Sequence, residues 1–185
     1  MHTLLLLWVA TGVRGTEDSL AIKRYTIKPA ESVKLVYEGD IRDANFRHGS
    51  FTMYYRERKV ASGYYYNNEK QGKWLRYFPN GKVRSEAYYI QGRKHGRWKY
   101  FLPSGQLSAE TNFVNDIKTG SWRGYYDDGT PACIYNYEND RLVGEFVLYH
   151  PNGRIAQNTR IRYQDTNLLV HETRYYNTGQ IYEDS

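Results

Sequence analysis

Residues 72–90 read GKWLRYFPNGKVRSEAYYI, and the pattern returns at 96–114 as GRWKYFLPSGQLSAETNFV and at 120–138 as GSWRGYYDDGTPACIYNYE. Blocks opening on Gly-x-aromatic start at Gly49, Gly72, Gly96, Gly120 and Gly144, in steps of 23, 24, 24 and 24 residues. A fixed period of this length marks one supersecondary unit that cannot bury its own face, so successive units stack.

Numbered from the opening Gly, position 3 is aromatic in every block: Phe51, Trp74, Trp98, Trp122 and Phe146. Position 6 is Tyr54, Tyr77, Phe101, Tyr125 and Tyr149, and Tyr175 in a last partial copy near Val170, after a 26-residue step. Position 7 is Tyr55, Phe78, Leu102, Tyr126 and Tyr176, with His150 as the exception. Position 12 holds Val60, Val83, Leu107, Pro131, Ile155 and Ile181, and position 18 holds Tyr66, Tyr89, Phe113, Tyr137 and Ile161. Short aromatic runs read as strands. Between them, Pro79-Asn80-Gly81, Pro103-Ser104-Gly105, Asp127-Asp128-Gly129 and Pro151-Asn152-Gly153 read as tight turns whose Gly supplies positive φ. Each block is thus a β-hairpin, and no stretch has helical periodicity.

Alternation along a strand puts positions 3, 5 and 7 on one face and position 6 on the other. The expected fold is all-β: an elongated, twisted, single-layer antiparallel sheet of successive hairpins, roughly 50–60 Å long at about 10 Å per hairpin. Like positions stack into ladders, Trp on Trp and Tyr on Tyr. The first block, with Arg58 where the turn Gly belongs, and the last are atypical end units that protect sheet edges. The array spans 49–185. Residues 16–48 form an N-terminal cap with strand-like runs at 22–27 and 33–37 and Pro29 between them. The start, MHTLLLLWVATGVRGTEDS, reads as a secretory signal over residues 1–15, with an apolar run from Leu4 to Ala10 and small residues at Gly12 and Gly15. It places the protein outside the cytoplasm, periplasmic or secreted; a buried N-terminal strand is the competing reading. The run is far short of the ~20 residues of a spanning helix.

Mean hydropathy is −0.80, yet aromatic residues reach 16%, with 20 Tyr, too many for a disordered chain. Rings with wet hydroxyls suit a thin sheet. Net charge is +6, unevenly spread: residues 1–46 balance, 47–99 hold 13 Lys/Arg against three acids, and 100–185 hold seven against eleven. A basic front of +10 and a rear of −4 favour an anionic partner.

Gly-x-Trp-x-x-Tyr-Tyr/Phe-x-x-Gly, followed by an apolar position and then Tyr and Gly, resembles the MORN repeat, above all its bacterial variant, over about residues 49–181. The resemblance implies an elongated antiparallel sheet serving as a scaffold, dimerising, or contacting anionic lipid. Many proteins with this variant resemble the YwqK-like toxin–antitoxin antitoxin family, which would imply a cytosolic toxin-binding protein, at odds with an export signal.

No catalytic, metal or cofactor site is read from the residues. His48 and His95 precede a repeat Gly, His150 substitutes for a ring, and His171-Glu172 lacks the second His of a zinc helix. Asp127-Asp128-Gly129 has no calcium-ligand ladder after it. Cys133 is the single cysteine, so it has no intrachain disulfide partner. Gly72, Trp74, Tyr77, Gly81, Gly96, Trp98, Gly105, Gly120, Trp122, Tyr125, Gly129, Gly144, Tyr149 and Gly153 are structural repeat positions, and every glycine has a turn explanation. Aromatic and basic residues interleave as in single-strand and headgroup binders. Because the rings recur in acidic copies too, nucleic acid is not the expected partner. Function rests on positions the repeat leaves free: Lys73, Arg76, Lys82, Arg84, Arg93, Lys94, Arg97 and Lys99. The expected role is a non-enzymatic scaffold for a protein partner, with an anionic membrane surface and a toxin as alternatives.

Overall fold

The computed structural model describes residues 9–10, 23–30, 32–39, 47–164 and 167–185. The expected signal segment lies outside them except for Val9 and Ala10, as do parts of the expected cap. Two compact units divide the chain, Met1–Arg93 and Lys94–Ser185.

In the first unit the strands are β1 (Val9–Ala10), β2 (Lys23–Ala30), β3 (Val33–Gly39), β4 (Gly49–Tyr55), β5 (Arg58–Tyr66), β6 (Glu69–Tyr77) and β7 (Val83–Ile90). A two-residue strand, β8 (Arg93–Lys94), stands at the division. The second unit holds β9 (Gly96–Phe101), β10 (Leu107–Val114), β11 (Ile117–Tyr125), β12 (Pro131–Glu138), β13 (Arg141–Tyr149), β14 (Ile155–Gln164), β15 (Asn167–Tyr175) and β16 (Ile181–Asp184). Within each unit, strands adjacent in the chain are adjacent and antiparallel in an open sheet. The all-β class and the succession of hairpins are those read from the repeat. Pro29 lies inside β2 rather than between two runs.

Two kinds of turn alternate. At the Pro-Asn-Gly type, Phe78 N–H donates to the Lys82 carbonyl (2.8 Å) and Gly81 N–H to the Phe78 carbonyl (2.9 Å), with Gly81 at φ 83°. Asn80 Oδ1 accepts from Lys82 N–H at 3.0 Å, the side chain standing in for a backbone acceptor. The second kind joins blocks through residue pairs that are both left-handed: Asn67–Asn68, Gln91–Gly92, Asn115–Asp116 and Asn139–Asp140. These are the two-residue turns whose twist matches the flanking strands, and Asn and Asp tolerate them.

The opening glycines are not turn residues. Gly72 sits inside β6 at φ 68°, where the register jumps: Ser62 faces Leu75 but Tyr64 faces Gln71. Two extra residues are accommodated there, and a left-handed residue takes up the bulge.

The first hairpin departs from the pattern for a physical reason. It closes in two left-handed residues, Arg56 (φ 46°) and Glu57 (φ 59°), so no turn Gly is needed and the step falls to 23. This moves the alignment of β5 by one residue. Tyr65, not Tyr66, faces the opening Gly49, as Tyr89 faces Gly72. Lys59, not Val60, takes the place of Val83. Tyr65 is buried, whereas Tyr66 is exposed. In the last hairpin, β14 and β15 pair without a break from Gln157–Arg174 to Gln164–Asn167, with neither glycine nor bulge.

Position 7 also differs from expectation. Phe78, Leu102, Tyr126, His150 and Tyr176 stand in the turns, one residue beyond their strands, so strand alternation does not place them. Two of them reach the next block: Tyr126 O–H donates to the Tyr149 carbonyl (2.5 Å) and His150 Nε2–H to the Tyr175 carbonyl (2.9 Å). His150 thus makes the same kind of bond to the following block as Tyr126.

The rings of position 3 form the core with those of the strand between. In the first unit Tyr37, Phe51, Tyr65 and Trp74 are buried, with Phe51–Trp74 at 5.5 Å and Tyr65–Trp74 edge-on at 5.0 Å. Each such pair adds about 0.5–1.5 kcal/mol beyond its burial. In the second unit Trp122 stacks on Tyr135 (5.9 Å, 5°), and Tyr135 meets Phe146 (5.3 Å). Backbones of like positions lie two strands, about 10 Å, apart, so position-3 rings meet over a glycine, as Phe51 and Trp74 do across Gly63, or through an intervening ring, as Trp122 and Phe146 do through Tyr135. The intervening residue (Gly63, Ala87, Thr111, Tyr135 or Thr159, cross-strand from position 3) must either be small or supply a ring.

Candidate functional site

A basic residue four positions before the position-3 ring recurs as Arg47, Lys70, Lys94 and Lys118. The turn of the next block holds its backbone. Lys94 N–H donates to Asp116 Oδ1 (2.8 Å) while Asp116 N–H donates to the Lys94 carbonyl (2.9 Å), and Lys118 and Asp140 repeat the pair. The ammonium then lies over two rings. Lys70 Nζ is 4.7 Å from the Trp74 centroid and 4.8 Å from Tyr89. Lys94 is 5.4 Å from Trp98 and 5.1 Å from Phe113, and Lys118 is 5.9 Å from Trp122 and 5.0 Å from Tyr137. All three lysines are half-buried. Burial, with a smaller contribution from the Arg76 charge, pulls the Lys70 pKa below the usual lysine value. Lys94 is therefore a repeat position with a packing task, not one the repeat leaves free.

In the next block Leu142 takes the lysine's place and Ile161 the ring's. There Leu142, Cys133, Tyr135, Tyr137, Phe146 and Leu148 line an apolar concavity of about 380 Å³.

The other expected cations fall into distinct settings. Lys73 Nζ pairs with Glu86 at 3.1 Å. Arg97 and Arg123 share Glu110 at 3.8 and 4.0 Å, and Tyr125 O–H donates to the same carboxylate at 3.2 Å. Lys99 faces Glu110 across the β9–β10 ladder, Lys82 closes the Gly81 turn, and Arg93 is exposed in β8.

Arg76 and Arg84 come together with two residues not singled out from sequence. Arg56, Arg58, Arg76 and Arg84, with Tyr55, Val60, Tyr77 and Pro79, line a concavity of about 510 Å³ at the turn end of the first unit. Arg56 belongs to the shortened first turn, and Arg58 opens β5 directly after it. Arg56 N–H is tied to the Ser32 carbonyl at 2.8 Å. Glu57, the one acid of that turn, lies 3.7 Å from Lys34 instead. The Arg56 guanidinium lies over the Tyr55 ring (5.4 Å) and that of Arg84 over Phe78 (5.9 Å). All four arginines are exposed, and among the described lining residues there is no carboxylate. Four like charges around one concavity, with no carboxylate among its described lining, suit an anion that arrives from outside. The signal that could have found Arg56 and Arg58 is the 23-residue step, which puts Arg58 where a Gly would otherwise stand.

Residues 70–91, 94–115 and 118–139 each match the family model of the MORN repeat variant. The three matched segments stand in tandem and span about a third of the chain. Each matched segment opens on a clamp lysine, Lys70, Lys94 or Lys118, and ends on the first left-handed residue of the linking turn. No curated protein matches the chain. The arginine concavity draws on the first matched segment for Arg76 and Arg84 and on the block before it for Arg56 and Arg58. Among the described residues no cluster of metal-ligating side chains occurs, and no helix is long and apolar enough to cross a membrane.

Proposed function

We propose that the chain is a non-enzymatic repeat scaffold that binds a protein partner through an acidic feature of that partner. The observation that carries this reading is the convergence of Arg56, Arg58, Arg76 and Arg84 on one concavity with no carboxylate among its described lining residues. The remaining basic side chains of the 47–99 stretch supply the long-range field that steers an acidic protein toward the site. The MORN-variant repeat supports the scaffold part, since repeat arrays present extended surfaces. With residues 1–15 read as a signal, the partner is met outside the cytoplasm; the N-terminal sequence of the mature protein tests this, and an intact Met1 would remove it.

The binding reading is tested by affinity capture from an extract of the source cells, comparing the wild-type chain with R76E/R84E/R93E/R97E. Capture should fall sharply in the variant. Unchanged capture would discard the role of charge.

A further inference from the structure

We propose that the concavity lined by Arg56, Arg58, Arg76 and Arg84 receives a phosphate monoester carried by a side chain of the partner protein. This rests on the reading above, in which the partner is an acidic protein, and names the group that it presents.

Charge and geometry both point to phosphate over carboxylate. A carboxylate brings one negative charge, whereas a phosphate monoester brings about 1.5–2 and three strong acceptor oxygens. Each guanidinium offers five donors in a planar fork that pairs with phosphate two at a time. Among the described residues, none of the four arginines has an acidic partner within 4.0 Å, and Glu57 is turned to Lys34. Arg56 and Arg84 lie over rings at 5.4 and 5.9 Å, and a guanidinium that rests on a ring can still offer its in-plane donors to a ligand.

The choice of cation is selective. Every basic residue lining the concavity is arginine, although Lys59 and Lys82 are near in sequence. Lys59 lies instead over the Tyr77 ring at 4.7 Å. Lysine would serve equally well for steering alone. Arginine is the residue whose fork matches phosphate.

The shape favours a projecting group. A volume of about 510 Å³ exceeds what a phosphate alone fills, and Tyr55, Val60, Tyr77 and Pro79 provide walls for the side chain that bears it. A membrane presents a plane of headgroups, which suits a flat basic face better than a concavity. Phosphorylation-dependent docking on arginine clusters is a general recognition mode.

The test uses the purified full chain, isotopically labelled, titrated with phenyl phosphate while the arginine Nε–H resonances are followed. Benzoate is the matched carboxylate, and R76K/R84K preserves charge while removing the fork. Saturable binding of phenyl phosphate is expected, about tenfold or more tighter than benzoate and weakened about tenfold by R76K/R84K at unchanged thermal stability. Equal affinity for the two probes, or binding indifferent to R76K/R84K, overturns the inference. So does flotation with phosphatidic acid in phosphatidylcholine vesicles that depends on these arginines while phenyl phosphate fails to bind. If R76E/R84E loses the protein partner but phenyl phosphate does not bind, this inference alone falls and the acidic-partner reading stands.

Discussion

The ring of Trp74 lies directly over Gly63, so that a Cβ on Gly63 would overlap Trp74 Cδ2 and Cε2 and stand 2.7 Å from Cγ. Gly63 is also the cross-strand partner of Phe51. The missing side chain is what lets the two position-3 rings, Phe51 and Trp74, come within 5.5 Å across an intervening strand. Gly72 is glycine for a different cause: a Cβ there would meet nothing within 4 Å, but φ is 68°. Accordingly G63A should destabilise by about 3 kcal/mol through overpacking, and G72A by about 1–2 kcal/mol through left-handed strain alone. Urea unfolding of the two variants checks this, and a larger loss for G72A would contradict the assignment.

The clamp lysines should matter for stability despite being charged. A partly desolvated cation–π contact contributes on the order of 1–2 kcal/mol, and the methylenes of Lys118 add packing against Trp122 and Tyr137. K118A is expected to cost about 2 kcal/mol and K118M about half that, because Met keeps the stem. Thermal melts decide. Equal, negligible effects would show that the lysine lies over the rings without energetic consequence.

Much of this fold was legible in the sequence because the repeat is dictated by backbone needs: a ring to bury, a Gly at positive φ, a turn of fixed length. What sequence reading missed was set by contacts between blocks. Lys94 looked like variable surface charge, since nothing in one block shows that it will be pinned by Asp116 of the following turn. Tyr65 and Lys59 were passed over for Tyr66 and Val60 because the first turn is shorter than the others, which a uniform numbering hides. Of the arginine concavity only half was visible: Arg76 and Arg84 stood out in the basic stretch, while Arg58 looked like a degraded turn and Arg56 was passed over.

Tyr135 gives the fold an alkaline signature. Burial, then the nearby Cys133 and Tyr137, push its pKa from 10.0 to about 12. Above pH 10 the unfolded chain releases this proton and the folded chain holds it, so the stabilising contribution is full below pH 10 and is lost as pH rises through about 12. Stability should therefore decline over that interval, and Y135F should flatten the decline. A wild-type profile with the same slope as Y135F would refute the assignment.

Cys133 should be a poor nucleophile. Burial raises its thiol pKa, only partly offset by a backbone hydrogen bond from Gly124, whose missing Cβ makes room for Sγ. Reaction with a disulfide reagent at neutral pH is expected to run about tenfold or more slower than for an unhindered thiol. G124A, whose added Cβ would lie 2.6 Å from Sγ, should displace the thiol and speed the reaction. Fast modification of the folded wild type would count against this packing.

The central claim is that the arginine concavity, and not basic charge in general, captures the partner. Its most direct measurement is partner recovery by R76E/R84E against R93E/R97E, at matched folded fraction. These pairs carry the same charge change, but only the first lines the concavity. The account predicts that R76E/R84E loses the partner about tenfold or more while R93E/R97E loses it only in proportion to its weaker steering. Equal losses in the two pairs, or a greater loss in R93E/R97E, would contradict it.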